Sequence, residues 1–201
     1  MTLLEKFNFA REGGYVKKFT GHLPSKSTNH PFRYIIDDAV NWVPEQKLER
    51  VLDIGIGDGY GANLMRTRFQ AETYGITITP LELKWANETY PEIKVSVMDV
   101  HDLTFQDEFF DLITLRDSFE HFLSPFLALC ECFRVLKKDG LIMIALPIND
   151  IWVAYNEHLI VPNKIQMTHL LKISGFEVLK YEETIYPPEV ALTQAKYLAK
   201  K

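Results

Sequence analysis

The stretch Val51-Leu52-Asp53-Ile54-Gly55-Ile56-Gly57-Asp58-Gly59-Tyr60-Gly61 constrains the fold of this chain more than any other. An apolar run ends in an acid, glycines follow at alternate positions, and a helix-like segment begins at Ala62-Asn63-Leu64-Met65-Arg66. That order is a first buried strand, a tight turn and a helix N-terminus, as in nucleotide-binding α/β folds. Glycine adopts dihedrals that side chains forbid and lets a ligand come close to the backbone. The turn therefore marks one wall of a pocket and predicts where the other walls lie.

From Arg50 onward the pattern alternates. Strands are predicted over Val51–Ile54, Thr73–Ile78, Ile93–Val97, Asp111–Leu115, Gly140–Leu146 and Phe176–Glu183. Helices are predicted over Gly61–Phe69, Pro80–Tyr90, Pro125–Lys138 and Asn163–Ser174, with Pro80 and Pro125 in first turns and Gly140 and Gly175 past helix ends. Apolar strands alternating with helices mean a parallel sheet covered on both faces. His101 to Phe110 reads as a loop or single turn. Upstream, Asn29 caps a helix that starts near Pro31, follows Phe32, Ile35, Ile36, Ala39, Val40 and Val43, and is ended by Pro44. Residues 1–30, with Gly13-Gly14, Phe7, Phe9, Tyr15, Phe19, His22 and His30, read as an irregular cap over the core. Residues 31–186 form that core, and 187–201 a tail whose Glu189–Lys201 part is a last strand or a short helix.

At 201 residues, 47% hydrophobic and 24% charged, the chain suits one globular domain with a full core. A net charge of -5 argues against nucleic acid as a partner, because phosphate binding needs a basic face. Cys130 and Cys132 fall two apart on a helix, point to different faces, and make neither a disulfide nor a zinc site. No signal-peptide core opens the sequence and no segment is long enough to cross a bilayer, so a cytoplasmic protein without membrane insertion is expected.

In a doubly wound sheet, ligands sit beyond the carboxyl ends of the strands. Five ends converge there: Asp53 with the glycine turn, Thr77-Ile78-Thr79, Met98-Asp99-Val100, Arg116-Asp117-Ser118 and Pro147-Ile148-Asn149-Asp150. Taken together these residues resemble the class I S-adenosylmethionine-dependent methyltransferases, in their small-molecule branch. Asp53 to Gly59 matches the first motif of that family. Ser96 to Phe105 resembles the segment carrying an adenine-binding acid, and Phe109-Phe110-Asp111-Leu112-Ile113 the entry to the fourth strand. Glu120-His121, Pro125, Glu131 to Gly140 and Gly175-Phe176-Glu177-Val178 follow in the family's order. The resemblance spans roughly residues 50–183. It implies an α/β, Rossmann-like, mostly parallel sheet with helices on both faces and an antiparallel last strand.

It also implies cofactor roles. Gly55, Ile56 and Gly57 form the turn that lets the methionine moiety approach, with Asp53 near its amino group. Asp99 accepts from the adenine amino group, Met98 and Ile78 sandwich the ring, and Val100 offers its backbone N–H. Backbone around Arg116 holds the amino-acid end. One departure stands out: the second strand ends in Thr77 where the family places an acid that grips both ribose hydroxyls. A hydroxyl is a weaker contact than a carboxylate. The pattern resembles the cyclopropane fatty-acid synthase branch, and Glu82, on the next helix, is expected to take over the ribose; the bland alternative is an acid favoured at a helix N-terminus.

Catalytic candidates are His121, beside the transferred methyl, and His158, in the loop after strand five; either also fits a packed, hydrogen-bonded histidine. Asp117 with Asn149-Asp150 has the oxygen donors of a magnesium site, but their order is reversed from catechol-type enzymes and Glu120-His121 points to the metal-free branch, so no metal is expected. Trp152 and Tyr155 stand ready to stack on a flat or sugar-like substrate. The expected reaction moves a methyl group to oxygen or nitrogen of a small metabolite by in-line displacement. Two rivals remain: a nicotinamide-dependent oxidoreductase, from a loose Gly57-x-Gly59-x-x-Ala62 pattern, and a non-catalytic cofactor binder. A trimmed sheet edge would call for a second subunit, hence a homodimer.

Overall fold

The computed structural model describes residues 33–148, 158–187 and 192–201. The cap segment with Tyr15 and His22, the start of the first helix at Asn29 and Pro31, and the loop residues Asn149, Asp150, Trp152 and Tyr155 lie outside them.

Helix α1 (Arg33–Asn41) buries Ile35, Ala39 and Val40 along one stripe. There follow β1 (Arg50–Ile54), α2 (Tyr60–Phe69), β2 (Glu72–Thr77), α3 (Pro80–Thr89), β3 (Lys94–Val97), β4 (Phe110–Arg116), a 3₁₀ turn (Phe119–His121), α4 (Pro125–Val135), β5 (Leu136–Pro147), α5 (Lys164–Ile173), β6 (Glu177–Ile185) and β7 (Thr193–Lys200). Local chemistry starts the helices where polar residues precede apolar ones. Thr79 Oγ1 accepts the Glu82 N–H at 3.3 Å at the head of α3. Asn163 and Gln166 each accept the other's backbone N–H at 3.0 Å, a capping box on α5.

The seven strands run in the order β3-β2-β1-β4-β5-β7-β6. β1 pairs in parallel with β2 and β4, and β4 with β5, while β7 runs antiparallel between β5 and β6. Successive residues of the central strands serve opposite faces. Leu52, Ile113, Ile142 and Ile144 join Phe119, Leu129 and Met167 on one face; Val51, Leu112, Met143 and Ala145 join Val40, Met65 and Phe69 on the other. Two covered faces explain the near-continuous apolar runs. The strand order reverses between β1 and β4, which opens a crevice at their carboxyl ends.

Most boundaries fall within a residue or two of expectation, and two move further. Helix α4 stops at Val135 rather than Lys138, and β5 begins at Leu136 rather than Gly140. The N–H groups of Glu108 and Phe109 take the carbonyls of Arg134 and Val135, and buried Leu136 pairs with Phe110. Lys137 then reaches Asp111 at 2.8 Å and Glu49 at 2.9 Å. Burial works against the Asp111 carboxylate, but Lys137 and the N–H groups of Arg50 and Glu49 outweigh it and hold its pKa low. The tail resolves in favour of a strand. β7 lies inside the sheet, so the trimmed edge on which a covering subunit was argued does not arise. Buried Lys196 on β7 pairs with Asp38 of α1 at 2.7 Å and Glu182 of β6 at 2.8 Å. Among the described residues, no helix is long and apolar enough to cross a membrane.

Candidate active site

The carboxyl ends of β1, β2, β3 and β4 surround a cleft of about 760 Å³, its open mouth included. Gly55 and Gly57 form its floor with φ of 78° and 56°. The N–H groups of Gly55 and Ile56 both donate to the Ile76 carbonyl, at 3.0 and 3.1 Å, tying the turn to β2. A Cβ on Gly55 would come within 2.6 Å of Ser118 Cβ, whereas one on Gly57 would meet nothing within 4 Å. Packing and backbone both demand the first glycine; at the second the left-handed backbone favours glycine while the space above it lies open to the cleft. The Ile56 side chain turns away, into a small core with Ala62, Ala86 and Ile93.

Asp53 lies beneath the turn, wholly buried. Thr114 Oγ1 donates to it at 2.8 Å and Arg116 Nη2 at 2.5 Å. Burial pushes its carboxyl above the usual range, while Arg116 and Thr114 pull it back. Both members of the Asp53–Arg116 pair are thus committed to each other, and Asp117 and Ser118 line the cleft instead. Asp117 adopts φ 47°. Its N–H donates to Ala145 at 2.9 Å and its Oδ1 accepts from Gln194 Nε2 of β7 at 2.9 Å. A left-handed aspartate on the wall is held there by two neighbouring strands.

On the opposite wall Thr77 Oγ1 donates to Glu82 Oε2 at 2.5 Å and accepts the Thr79 N–H at 3.0 Å. The substitution of hydroxyl for acid at the end of β2 is therefore met by a carboxylate one turn into α3, and both residues line the cleft. Ile78, Met98 and Val100 supply apolar lining. Asp99 Oδ1 accepts the His101 N–H at 3.0 Å and lies 2.6 Å from His101 Nδ1. His101 Nε2 accepts the Ser124 N–H at 3.1 Å. A ring nitrogen that accepts carries no proton, so the proton sits on Nδ1 and points at Asp99. His101, Phe122 and Leu123 line the cleft although the sequence reading passed over them. The Asp99 carboxylate accepting the His101 N–H is an Asx turn, a local signal that places residue 101 beside Asp99.

His121 lines the far end of the cleft. His158 reaches it from beyond β5, ring centroids 4.9 Å apart and nearly perpendicular. The Leu159 and Ile160 N–H groups donate to the Glu120 carbonyl at 2.8 and 3.2 Å. Both candidate histidines therefore meet at one end of one cleft.

Comparison with known proteins accords with this geometry. Residues 52–144 match the family described as a methyltransferase domain. The chain is 32% identical over 106 residues to the chloroplastic tocopherol O-methyltransferase of Arabidopsis thaliana, covering 50% of this chain and 30% of that protein. It is 33% identical over 106 residues to the demethylmenaquinone methyltransferase of Thermotoga maritima, covering 52% of this chain and 46% of that one. The chain thus spans less than half the length of either relative. The crystal structure of the [4+2]-cyclase SpnF superposes with a TM-score of 0.72 at 18% identity, over 99% of this chain and 93% of that chain. A structure from Aquifex aeolicus titled as a SAM dependent methyltransferase superposes at 0.71 with 17% identity, over 85% and 93% of the two chains. In its glycine turn, its strand order and the match over residues 52–144, this chain is similar to the S-adenosylmethionine-dependent methyltransferases.

Proposed function

We propose that this chain binds S-adenosylmethionine in the cleft and moves its methyl group to an oxygen or nitrogen of a small metabolite, releasing S-adenosylhomocysteine. The observation that carries the reading is the pair of carboxylates lining the cleft, Asp99 from just past β3 and Glu82 from the first turn of α3. Asp99 is aimed by a proton on His101 Nδ1; Glu82 is aimed by the Thr77 hydroxyl. One suits an adenine amino group and the other the ribose hydroxyls, with Ile78 and Met98 to either side of the ring and the Val100 N–H at its edge. Gly55, Ile56 and Gly57 give the methionine end its backbone approach. Asp53 acts from below, holding Arg116 and so the Asp117-Ser118 step beside that end. The sulfonium is already reactive, so alignment and dry surroundings supply most of the rate. His121, backed by His158, faces the acceptor and takes its proton when the acceptor is a hydroxyl.

The relatives named for tocopherol and demethylmenaquinone support an aromatic, lipid-linked acceptor, and the apolar Phe122 and Leu123 beside His121 suit one. The acidic balance of the chain supports a small molecule over nucleic acid. We assign residues 1–201 to a single domain acting in the cytoplasm. The rival reading is a cleft that binds the adenosyl ligand without transferring methyl.

Calorimetric titration with S-adenosylmethionine, S-adenosylhomocysteine and NAD, with Asp99→Ala alongside, tests the proposal. Micromolar binding of the first two, lost in the variant and absent for NAD, is expected. Binding indifferent to Asp99, or none, overturns it. Transfer of a labelled methyl group to candidate phenols then separates the enzyme from the silent binder.

A further inference from the structure

The adjacent Glu120 and His121 meet His158, which the sequence sets beyond all of α4 and β5, at the His121 end of the cleft. The ligating atoms of Glu120, His121 and His158 lie within 4.8 Å of one another. His158 Nε2 is 3.9 Å from Glu120 Oε1. The arrangement is built by the backbone: the Leu159 and Ile160 N–H groups converge on the Glu120 carbonyl and so return His158 to the 3₁₀ turn. The Glu120 side chain is 1% exposed, and its Oε2 is buried with no hydrogen-bond partner among the described residues.

A buried carboxylate with an oxygen to spare is costly unless a cation or a proton meets it. Two imidazoles are poor company for a magnesium ion, which prefers oxygen ligands, and good company for a first-row transition ion.

We infer that Glu120, His121 and His158 form a binding site for one divalent transition ion of the zinc, manganese or iron class. Three protein ligands with positions left open is the pattern of sites that act on a substrate rather than brace a fold. Bonds of about 2.0–2.2 Å set ligand atoms roughly 3–3.5 Å apart. The trio must close by an amount on the order of 1 Å, which side-chain torsions supply. Of the three residues, His121 also lines the cleft, so the open positions face the acceptor. There the ion holds an acceptor oxygen and lowers its pKa, taking over from the imidazoles the task given them above; that role rests on the methyl-transfer reading. Ion binding itself does not.

The test uses the full chain without an affinity tag, stripped by chelator and free of adenosyl ligand, titrated with Co²⁺ by visible absorption and with Zn²⁺ by calorimetry. One equivalent of each is expected, Co²⁺ developing the d–d bands of a nitrogen–oxygen site. Glu120→Gln and His158→Gln should each weaken binding roughly 10-fold or more, with near-ultraviolet circular dichroism reporting that the fold is kept. Should either variant misfold, proton spectra of wild-type protein with Co²⁺ decide the matter, through paramagnetically shifted N–H signals from two imidazole rings. No saturable binding, binding that survives both substitutions, or fewer than two shifted rings overturns the inference. Ion binding without S-adenosylmethionine binding would leave this site standing and sink the methyl-transfer reading; the reverse result would do the opposite.

Discussion

At Gly57 the fold asks nothing of the side chain, since an added Cβ finds open space there. Gly57→Ala should therefore cost little stability, about 1–2 kcal/mol for a left-handed residue, while the methyl group intrudes where a ligand would approach. Thermal melting should shift by a few degrees as S-adenosylhomocysteine affinity falls at least about tenfold, a difference near 1.4 kcal/mol. Equal losses in both readouts would mean that the glycine serves the turn alone. Asp53 is the opposite case. Its partner Arg116 is 7% exposed and Asp53 not at all. Asp53→Asn leaves a buried guanidinium without its counter-charge and should destabilise by about 3–5 kcal/mol. The double variant with Arg116→Met should recover most of that in denaturant unfolding; full additivity would show that the two residues do not act as a pair.

Helix α4 carries the two residues that organise the approach to β4. The Arg134 guanidinium donates to the Leu103 and Phe105 carbonyls, at 2.6 and 2.8 Å, and Glu131 Oε2 accepts the Leu103 N–H at 2.9 Å. These are two of the charged residues of the Glu131 to Gly140 motif, and their work is to clamp a loop that has no regular structure of its own. Arg134→Ala should cost about 1–2 kcal/mol and speed hydrogen exchange at Leu103 while leaving β1 amides protected. Uniform exchange across the sheet would assign the clamp to global stability instead. The same element shows where sequence reading stops. Arg134, Lys137 and Lys138 look like a basic last helical turn, but the carbonyls that such a turn would cover are taken by the start of β4. That competition is between segments far apart in sequence, and helical spacing cannot register it.

Across the whole molecule, Lys196 draws α1, β6 and β7 together through Asp38 and Glu182. Hydrogen bonds from Lys196 and from Trp42 Nε1 bring the Glu182 pKa down from 4.5 to about 2. A carboxylate whose folded pKa is depressed adds stability above its unfolded pKa and loses it as pH falls toward the folded one. The contribution is therefore full above about pH 4.5 and drains away between there and pH 2. Acid unfolding of the wild type should steepen in that window, and Glu182→Gln should flatten it. Parallel curves would remove Glu182 from the acid response.

What the sequence determined by itself was whatever local physics writes into adjacent residues. The glycine turn, the apolar strands alternating with helices, the helix starts at Pro80 and Asn163 and the positions of the cleft-lining Asp99, Thr77 and Glu82 could all be read from spacing and motif. Tertiary structure decided the relations that spacing does not encode. It turned Asp53 and Arg116 toward each other rather than into the cleft, set β7 inside the sheet, and ended α4 early against β4. It also carried His158 back across β5 to meet Glu120 and His121. Each outcome depends on which distant backbone groups find one another once the chain is compact, and on the cost of leaving a buried charge or carbonyl without a partner.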